Sequence, residues 1–200
     1  MSKYYKNSSK AISSLSIKKK SLKDSVLISK YFQGNLFLTY SYFSTIANGL
    51  LDLLPHLVRN VFFKLFLNEL GKGCIIDYKV YMRYFKRIAI GNNSVINRGC
   101  EFYPSHHLNK NIIIGNNVII SPNVKFFAAS QDYKRPNMPD IGEDIIVEDN
   151  CYICAGSMLL QGVKIGQNSV IGAGSVVTRN IPPNSVAVGV PCRVIKTRKT

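Results

Sequence analysis

"VEDNCYICAGSMLLQGVKIGQNSVIGAGSVV", residues Val147 to Val177, carries an aliphatic side chain at every sixth position: Val147, Ile153, Leu159, Ile165, Ile171 and Val177. Neither the 3.6-residue period of a helix nor the two-residue alternation of a strand fits that spacing. A short strand and a turn every six residues does fit it. The position after the aliphatic is often small, as at Cys154, Gly166 and Gly172. Four residues after each aliphatic stands another compact side chain, at Cys151, Ser157, Val163, Ser169 and Ser175. Asn or Gly falls between, in "EDNCY" and "GQNSV", and these residues tolerate positive φ at a corner. Three such edges make one coil of a triangular solenoid. Each aliphatic then points inward and stacks on its copies above and below.

The same grid runs upstream through Ile90, Ile96 and Phe102, and then Ile114, Ile120 and Phe126. Gly91 and Ser121 take the small position, and Ser94, Cys100, Val118 and Val124 the compact one. Between Phe102 and Ile114 lie two repeat lengths, so "YPSHHLNKN" (Tyr103 to Asn111) is an extra edge or a corner loop; Pro104 and the polarity favour the loop. A second interruption, "DYKRPNMPDIGEDI" (Asp132 to Ile145), is expected to project outward, in the manner of functional loops on rigid scaffolds. Cys151-x-x-Cys154 has the look of half a zinc site, but no second CxxC or nearby His pair completes it. Cys100, Cys151 and Cys154 all fall on the grid and read as packing residues, so no metal is expected.

Ahead of the repeats the chain has a different character. Residues 1–35 are Ser- and Lys-rich, a loose basic segment. Residues 36–70 form an apolar helical region, and 71–200 the β-helix domain. Leu36 to Leu54 is long enough to suggest a membrane span. Asn48, Gly49, Asp52 and the hydroxyls of Thr39, Ser41, Ser44 and Thr45 argue against one. After Pro55, the apolar Val58, Val61, Phe62, Leu65 and Phe66 recur at helical spacing, predicting an amphipathic helix that caps the domain.

The net charge is +15 and gathers at the ends, at Lys18 to Lys20 and in the C-terminal "CRVIKTRKT". That suits a phosphate-rich ligand or peripheral contact with an anionic membrane. No aromatic–basic interleaving or nucleic-acid motif accompanies it, so no nucleic acid is expected. Five cysteines, without a dense framework or a cleavable signal in the lysine-rich start, point to a reducing, cytoplasmic setting.

"IGNNVIISPNV" (Ile114 to Val124) and the run from Val147 to Lys196 ending "NIPPNSVAVGVPCRVIK" resemble the hexapeptide-repeat acyltransferases, nearest the galactoside/maltose O-acetyltransferase branch. The resemblance covers about Gly71 to Lys196. It implies an all-β fold, a left-handed parallel β-helix, here with an N-terminal helical region. It also implies a homotrimer with acetyl-CoA as acyl donor in the groove between subunits, and a saccharide acceptor, with a role in surface polysaccharide or glycolipid assembly. Open-ended coils expose strand edges, so a helix over one end and the C-terminal segment over the other would be expected.

In that family a His removes the proton from the acceptor hydroxyl, which then attacks the CoA thioester. The resemblance places the acceptor-orienting Asn at Asn97, in "GNNSVINRG", and the His at Gln131, in "SPNVKFFAASQ". Gln hydrogen-bonds but cannot take up a proton. Three accounts compete: a CoA- or sugar-binding scaffold that does not react, an enzyme slowed by loss of its base, or another residue serving. The other His residues are His56, His106 and His107, and the pair at 106–107 lies in the corner loop where the family contacts its acceptor. On the CoA side the resemblance assigns Thr178, Arg179, Arg193 and Lys196 to the adenine-ribose and phosphate end. It assigns Ala155 and Ala173 to backbone contact with the pantetheine. Tyr152 stands where the family usually has Trp and Gln161 where it has Pro, which bears on acceptor shape more than on CoA.

Overall fold

The computed structural model describes residues 35 and 37–198. The chain falls into two compact units, Met1–Phe43 and Ser44–Thr200. In the first, residue 35 and residues 37–43 are helical. The second begins in helix α1, residues 44–51, and continues through helix α2, His56–Phe66. Beyond α2 lies the predicted left-handed parallel β-helix.

Its coils are built of short strands. The first holds β1 (Glu69–Leu70), β2 (Ile75–Ile76) and β3 (Tyr81–Met82); the second β4 (Ile88–Ile90), β5 (Val95–Ile96) and β6 (Glu101–Tyr103); the third β7 (Ile112–Ile114), β8 (Ile119–Ile120) and β9 (Lys125–Phe127). An antiparallel ribbon, β10 (Ala129–Gln131) with β11 (Asp140–Gly142), leaves the coil here. The fourth coil is β12 (Ile145–Val147), β13 (Tyr152–Ile153) and β14 (Met158–Leu160), and the fifth β15 (Lys164–Ile165), β16 (Val170–Ile171) and β17 (Val176–Val177). Then β18 (Ser185–Val188) continues the second face, and β19 (Arg193–Thr197) turns back antiparallel on it. The three faces are β1-β4-β7-β12-β15, β2-β5-β8-β13-β16-β18 with β19, and β3-β6-β9-β14-β17, here faces A, B and C.

Every aliphatic or aromatic side chain of the predicted grid is buried, from Ile90 to Val177. Register keeps the columns in line: Phe102 pairs with Phe126 and Phe126 with Leu159, and the two rings stack at 4.7 Å. The compact positions are buried too, and their polar atoms face corner carbonyls of the next coil. Ser94 Oγ donates to Gly115 O at 2.8 Å, Ser157 Oγ to Gly172 O at 3.0 Å and Cys151 Sγ to Gly166 O at 3.2 Å. Each hydroxyl thus satisfies an acceptor that a core would otherwise strand, worth about 1 kcal/mol apiece. Burial pushes the Cys100 and Cys151 thiols up to about 11, so both stay neutral. Asn93, Asn117, Asn150 and Asn168 turn their corners with φ between 54° and 59°, the left-handed conformation that the "GNN" and "EDN" steps predict. At Gly91 a Cβ would lie 2.6 Å from the Gly115 backbone, which explains the glycine there.

Three features differ from the sequence expectation. The six-residue grid, read in the sequence only from Ile90, extends one coil further back, with Leu70 and, inside the expected 71–200 domain, Ile76 and Met82 in the aliphatic column; the 3-10 turn Phe85–Arg87 shifts the phase between Met82 and Ile90. The segment Asp132 to Ile145 is not all loop. Its second half pairs as β11 against Gln131, and Ile145 already belongs to the next coil.

The third difference is the inner face of α2. It runs through Arg59 and Phe63, both 1% exposed, while Val58, Val61, Leu65 and Phe66 lie outside. The reason is the open end of the first coil. Arg59 donates to Ile76 O at 3.3 Å and to Asp77 O at 2.9 Å, stacks on Tyr78 at 4.3 Å and faces Asp52 at 3.6 Å. On face C, the Asn48 side chain accepts from Met82 N and donates to Met82 O, both at 3.1 Å, as a neighbouring strand would. A guanidinium and an amide replace the missing coil. Phe63 and Phe85 pack beneath them at 6.4 Å.

Candidate functional site

Three edges run the length of the solenoid, and the predicted site residues other than Arg193 and Lys196 occupy two of them. On the B–C edge, Asn97 follows β5, Ala155 follows β13 and Ala173 follows β16. Gly174 N donates to Ala155 O at 2.9 Å, and Gly156 N to Pro122 O at 3.0 Å, so the corners stack directly. Ala155 and Ala173 are exposed, and a Cβ at Gly174 would meet nothing within 4 Å. The open corners are local to Ala155–Gly156 and Ala173–Gly174: at Gly172 on the same edge an added Cβ would be blocked by Val188 at 2.6 Å, as it would be at Gly91 on the A–B edge. Asn97 is half-buried, and its Nδ2 donates to Ile120 O at 2.8 Å.

On the C–A edge, Thr178 and Arg179 follow β17 and are exposed. The loop after β6 and the β10–β11 ribbon leave the solenoid on this same edge. Gln131 ends β10 and pairs with Asp140 across the ribbon. Its Nε2 donates to Asp140 Oδ1 at 3.1 Å. The other carboxylate oxygen, Oδ2, lies 3.1 Å from His107 Nε2. On the far side of that imidazole, Nδ1 is 3.3 Å from Ser105 Oγ, and Leu108 N donates to the same hydroxyl at 3.4 Å.

The corner loop is thereby fastened to the ribbon. Ser105 and Lys110 form its neck, with Lys110 N donating to Ser105 O at 2.8 Å, and residues 106–109 turn above it. His106 instead lies beside the Tyr84 ring, centroids 5.6 Å apart, and His56 sits on α2, 3.3 Å from Asn60. Of the three histidines, His107 is the one that meets Gln131's carboxylate partner. Asp140 and Ser105 carry no signal in the sequence, since neither belongs to the hexapeptide grid.

Arg193 and Lys196 stand on β19, whose residues are all exposed; Arg193 Nη1 donates to Cys192 O at 2.8 Å. Gln161 turns its Oε1 inward at the C–A edge without a hydrogen bond. Tyr152 lies on face B, its hydroxyl accepting from Ser121 Oγ at 3.2 Å. Its outward column there is apolar from Ile75 to Val186: Ile75, Val95, Ile119, Tyr152, Val170 and Val186 are in register, and only on β19 does Lys196 follow. The outward columns of the other faces carry charge, at Glu69 and Lys164 on face A and Glu101 and Lys125 on face C.

The family described as bacterial transferase hexapeptide (six repeats) matches residues 144–179. A galactoside O-acetyltransferase of Lactococcus lactis is 35% identical over 142 residues, which cover 66% of this chain and 63% of that protein, a little under two thirds of its length. Among solved structures, a maltose O-acetyltransferase of Clostridium difficile superposes with a TM-score of 0.73 at 32% identity, covering 82% of this chain and 89% of that one. A hexapeptide-repeat acetyltransferase of Vibrio cholerae, solved with acetyl-coenzyme A, does so with a TM-score of 0.68 at 29% identity, covering 76% and 86%. By its coils and by these likenesses, the chain belongs to the hexapeptide-repeat acetyltransferase family.

Proposed function

We propose that the protein transfers an acetyl group from acetyl-CoA to a sugar hydroxyl, as a homotrimer, in the assembly of surface polysaccharide or glycolipid. The observation that carries this reading is the division of the site between two edges of one chain. The bare corners of Ala155 and Ala173 suit a pantetheine arm lying against backbone, and Asn97 shares their edge. Thr178, Arg179 and Gln131 lie on the other edge. A groove between two copies unites the two sets, and the apolar outward column of face B supplies a surface for copies to meet. Arg193 and Lys196 bring charge suited to the phosphates at the CoA end.

The test is thiol release from acetyl-CoA with galactosides and maltosides as acceptors. Release that depends on the sugar is expected. CoA binding with no release across the panel would mean a non-catalytic scaffold. In the same assay Arg193→Ala with Lys196→Ala should weaken CoA binding by about tenfold more than dephospho-CoA binding, because charge-assisted contacts to phosphate are lost. Equal losses on both ligands would make these residues ordinary surface charges.

One further observation favours a setting in the cytoplasm at the inner face of a membrane. No helix among the described residues is long and apolar enough to cross a bilayer. Yet Leu57, Val58, Val61 and Leu65 form an exposed apolar stripe along α2, with exposed Leu54 just ahead of the helix, Lys64 beside the stripe and no acid in the first turn. Such a face suits shallow contact with anionic lipid. The protein should sediment with phosphatidylserine vesicles, and Val61→Glu should release it. Equal binding by the variant would remove α2 from that contact.

A further inference from the structure

A carboxylate that accepts from two side chains at once orients both. Asp140 takes the Gln131 amide on Oδ1 and faces His107 Nε2 with Oδ2, each at 3.1 Å. An ionised carboxylate has no proton to give, so it is Nε2 of the neutral imidazole that carries the hydrogen. Nδ1 is then left with its lone pair and accepts the Ser105 hydroxyl, whose oxygen in turn accepts from Leu108 N. Every donor and acceptor in this chain of contacts has a role of the right kind. Of the imidazole's two contacts the one to Ser105 is the longer, at 3.3 Å, and the His107 side chain is 58% exposed, so an incoming hydroxyl can take Ser105's place at Nδ1.

Resting on the acetyl-transfer reading, we propose that His107 is the catalytic base, with Asp140 and Gln131 as its positioning residues. The acceptor hydroxyl donates to Nδ1 and loses its proton there as its oxygen attacks the thioester carbonyl carbon. Asp140 stabilises the imidazolium that forms. The carbon–sulfur bond breaks, the sulfur leaves with the electron pair, and the imidazolium returns the proton to it. The products are the sugar acetate and CoA thiol, and His107 ends neutral. Gln131 then has a function of its own. A His in its place would compete for Asp140, whereas an amide holds the carboxylate without titrating.

His107→Ala should lower kcat by about a hundredfold or more, the usual worth of a positioned base. CoA affinity and the thermal midpoint should stay as they are, because the side chain is exposed. Added imidazole should restore part of the rate. Asp140→Asn should also lower kcat, and the fall of kcat/KM at acid pH should disappear in His107→Ala. Gln131→His, with His107 present, should give less than about a tenfold gain.

Sugar-dependent turnover in His107→Ala at the unaltered rate would overturn the proposal and leave the acetyl-transfer reading standing. So would a hundredfold gain from Gln131→His, which would make position 131 the proper seat of the base. An unaltered protein that binds CoA but never releases thiol would overturn both.

Discussion

On the proposed trimeric reading, Ile119→Glu is expected to sediment as a monomer and the unaltered protein as a trimer, with sugar acetylation lost by at least about a hundredfold. Ile119 is the centre of the apolar column on face B, between Val95 and Tyr152, and is 46% exposed in the single chain. A carboxylate there would have to be buried against an apolar partner surface with nothing to pair with, at a cost of several kcal/mol for each copy. The solenoid itself has little reason to object, since the side chain points away from the core and faces water in a monomer. Activity should fail for a geometric reason. Asn97, Ala155 and Ala173 are on one edge and Gln131, His107 and Thr178 on another, so on the proposed reading two copies must meet to complete a site. Far-ultraviolet circular dichroism and the thermal midpoint would show that the fold survives. A monomer that acetylates at the normal rate would place the whole site within one chain, and a variant that remains trimeric would move the interface off face B.

The second large effect is on stability. Phe126→Ala should cost about 3–5 kcal/mol and lower the thermal midpoint by roughly 6–20 °C. The ring is fully buried, stacked on Phe102 and in register with Leu159 of the coil beyond. In a globular core, neighbours from several directions close part of such a gap. In a solenoid the residues above and below are fixed by backbone ladders of their own and close it poorly. The loss is a large share of the 5–15 kcal/mol that holds most domains together. A shift of the midpoint by less than about 3 °C would mean that the coils can slide to refill the space.

The sixfold period was legible because each coil repeats one requirement. An inward position excludes water, and a corner position must accept positive φ, so the same residue types return at Ile114, Ile120 and Phe126 and at Asn117, Asn150 and Asn168. The first coil escaped that reading for a physical reason. Leu70, Ile76 and Met82 keep the period, but the turn at Phe85 breaks the phase, and a pattern of three cannot be told from chance. The cover departs from its sequence pattern in a more instructive way. Val58, Val61 and Leu65 have the spacing of a buried stripe, yet Arg59 is what goes inside, because the end of a coil offers carbonyls as well as apolar surface. The same holds for Asn48 and Asp52. In the sequence they were only marks against a membrane span, and in the structure Asn48 hydrogen-bonds the edge strand while Asp52 faces Arg59 and accepts from Lys79 N at 2.9 Å. Around Gln131 the sequence showed a missing base and two histidines nearby. It could not show Asp140 between them, since the pairing arises only when the ribbon folds back and its partner strand comes level with Gln131.

The two covers also limit how such a chain can change its length over generations. Arg59 and Asn48 match Ile76 and Met82 of one particular coil, and Arg198 ties the other end by donating to Asn150 O at 3.3 Å and Asn168 O at 3.1 Å. A coil appended at either end would separate a cover from the strand it was shaped to meet. A coil duplicated in the middle would meet copies of itself on both sides and leave both covers seated. Growth and shrinkage of this architecture are therefore confined to its interior, where the repeats are interchangeable, and the terminal coils are inherited as fixed units.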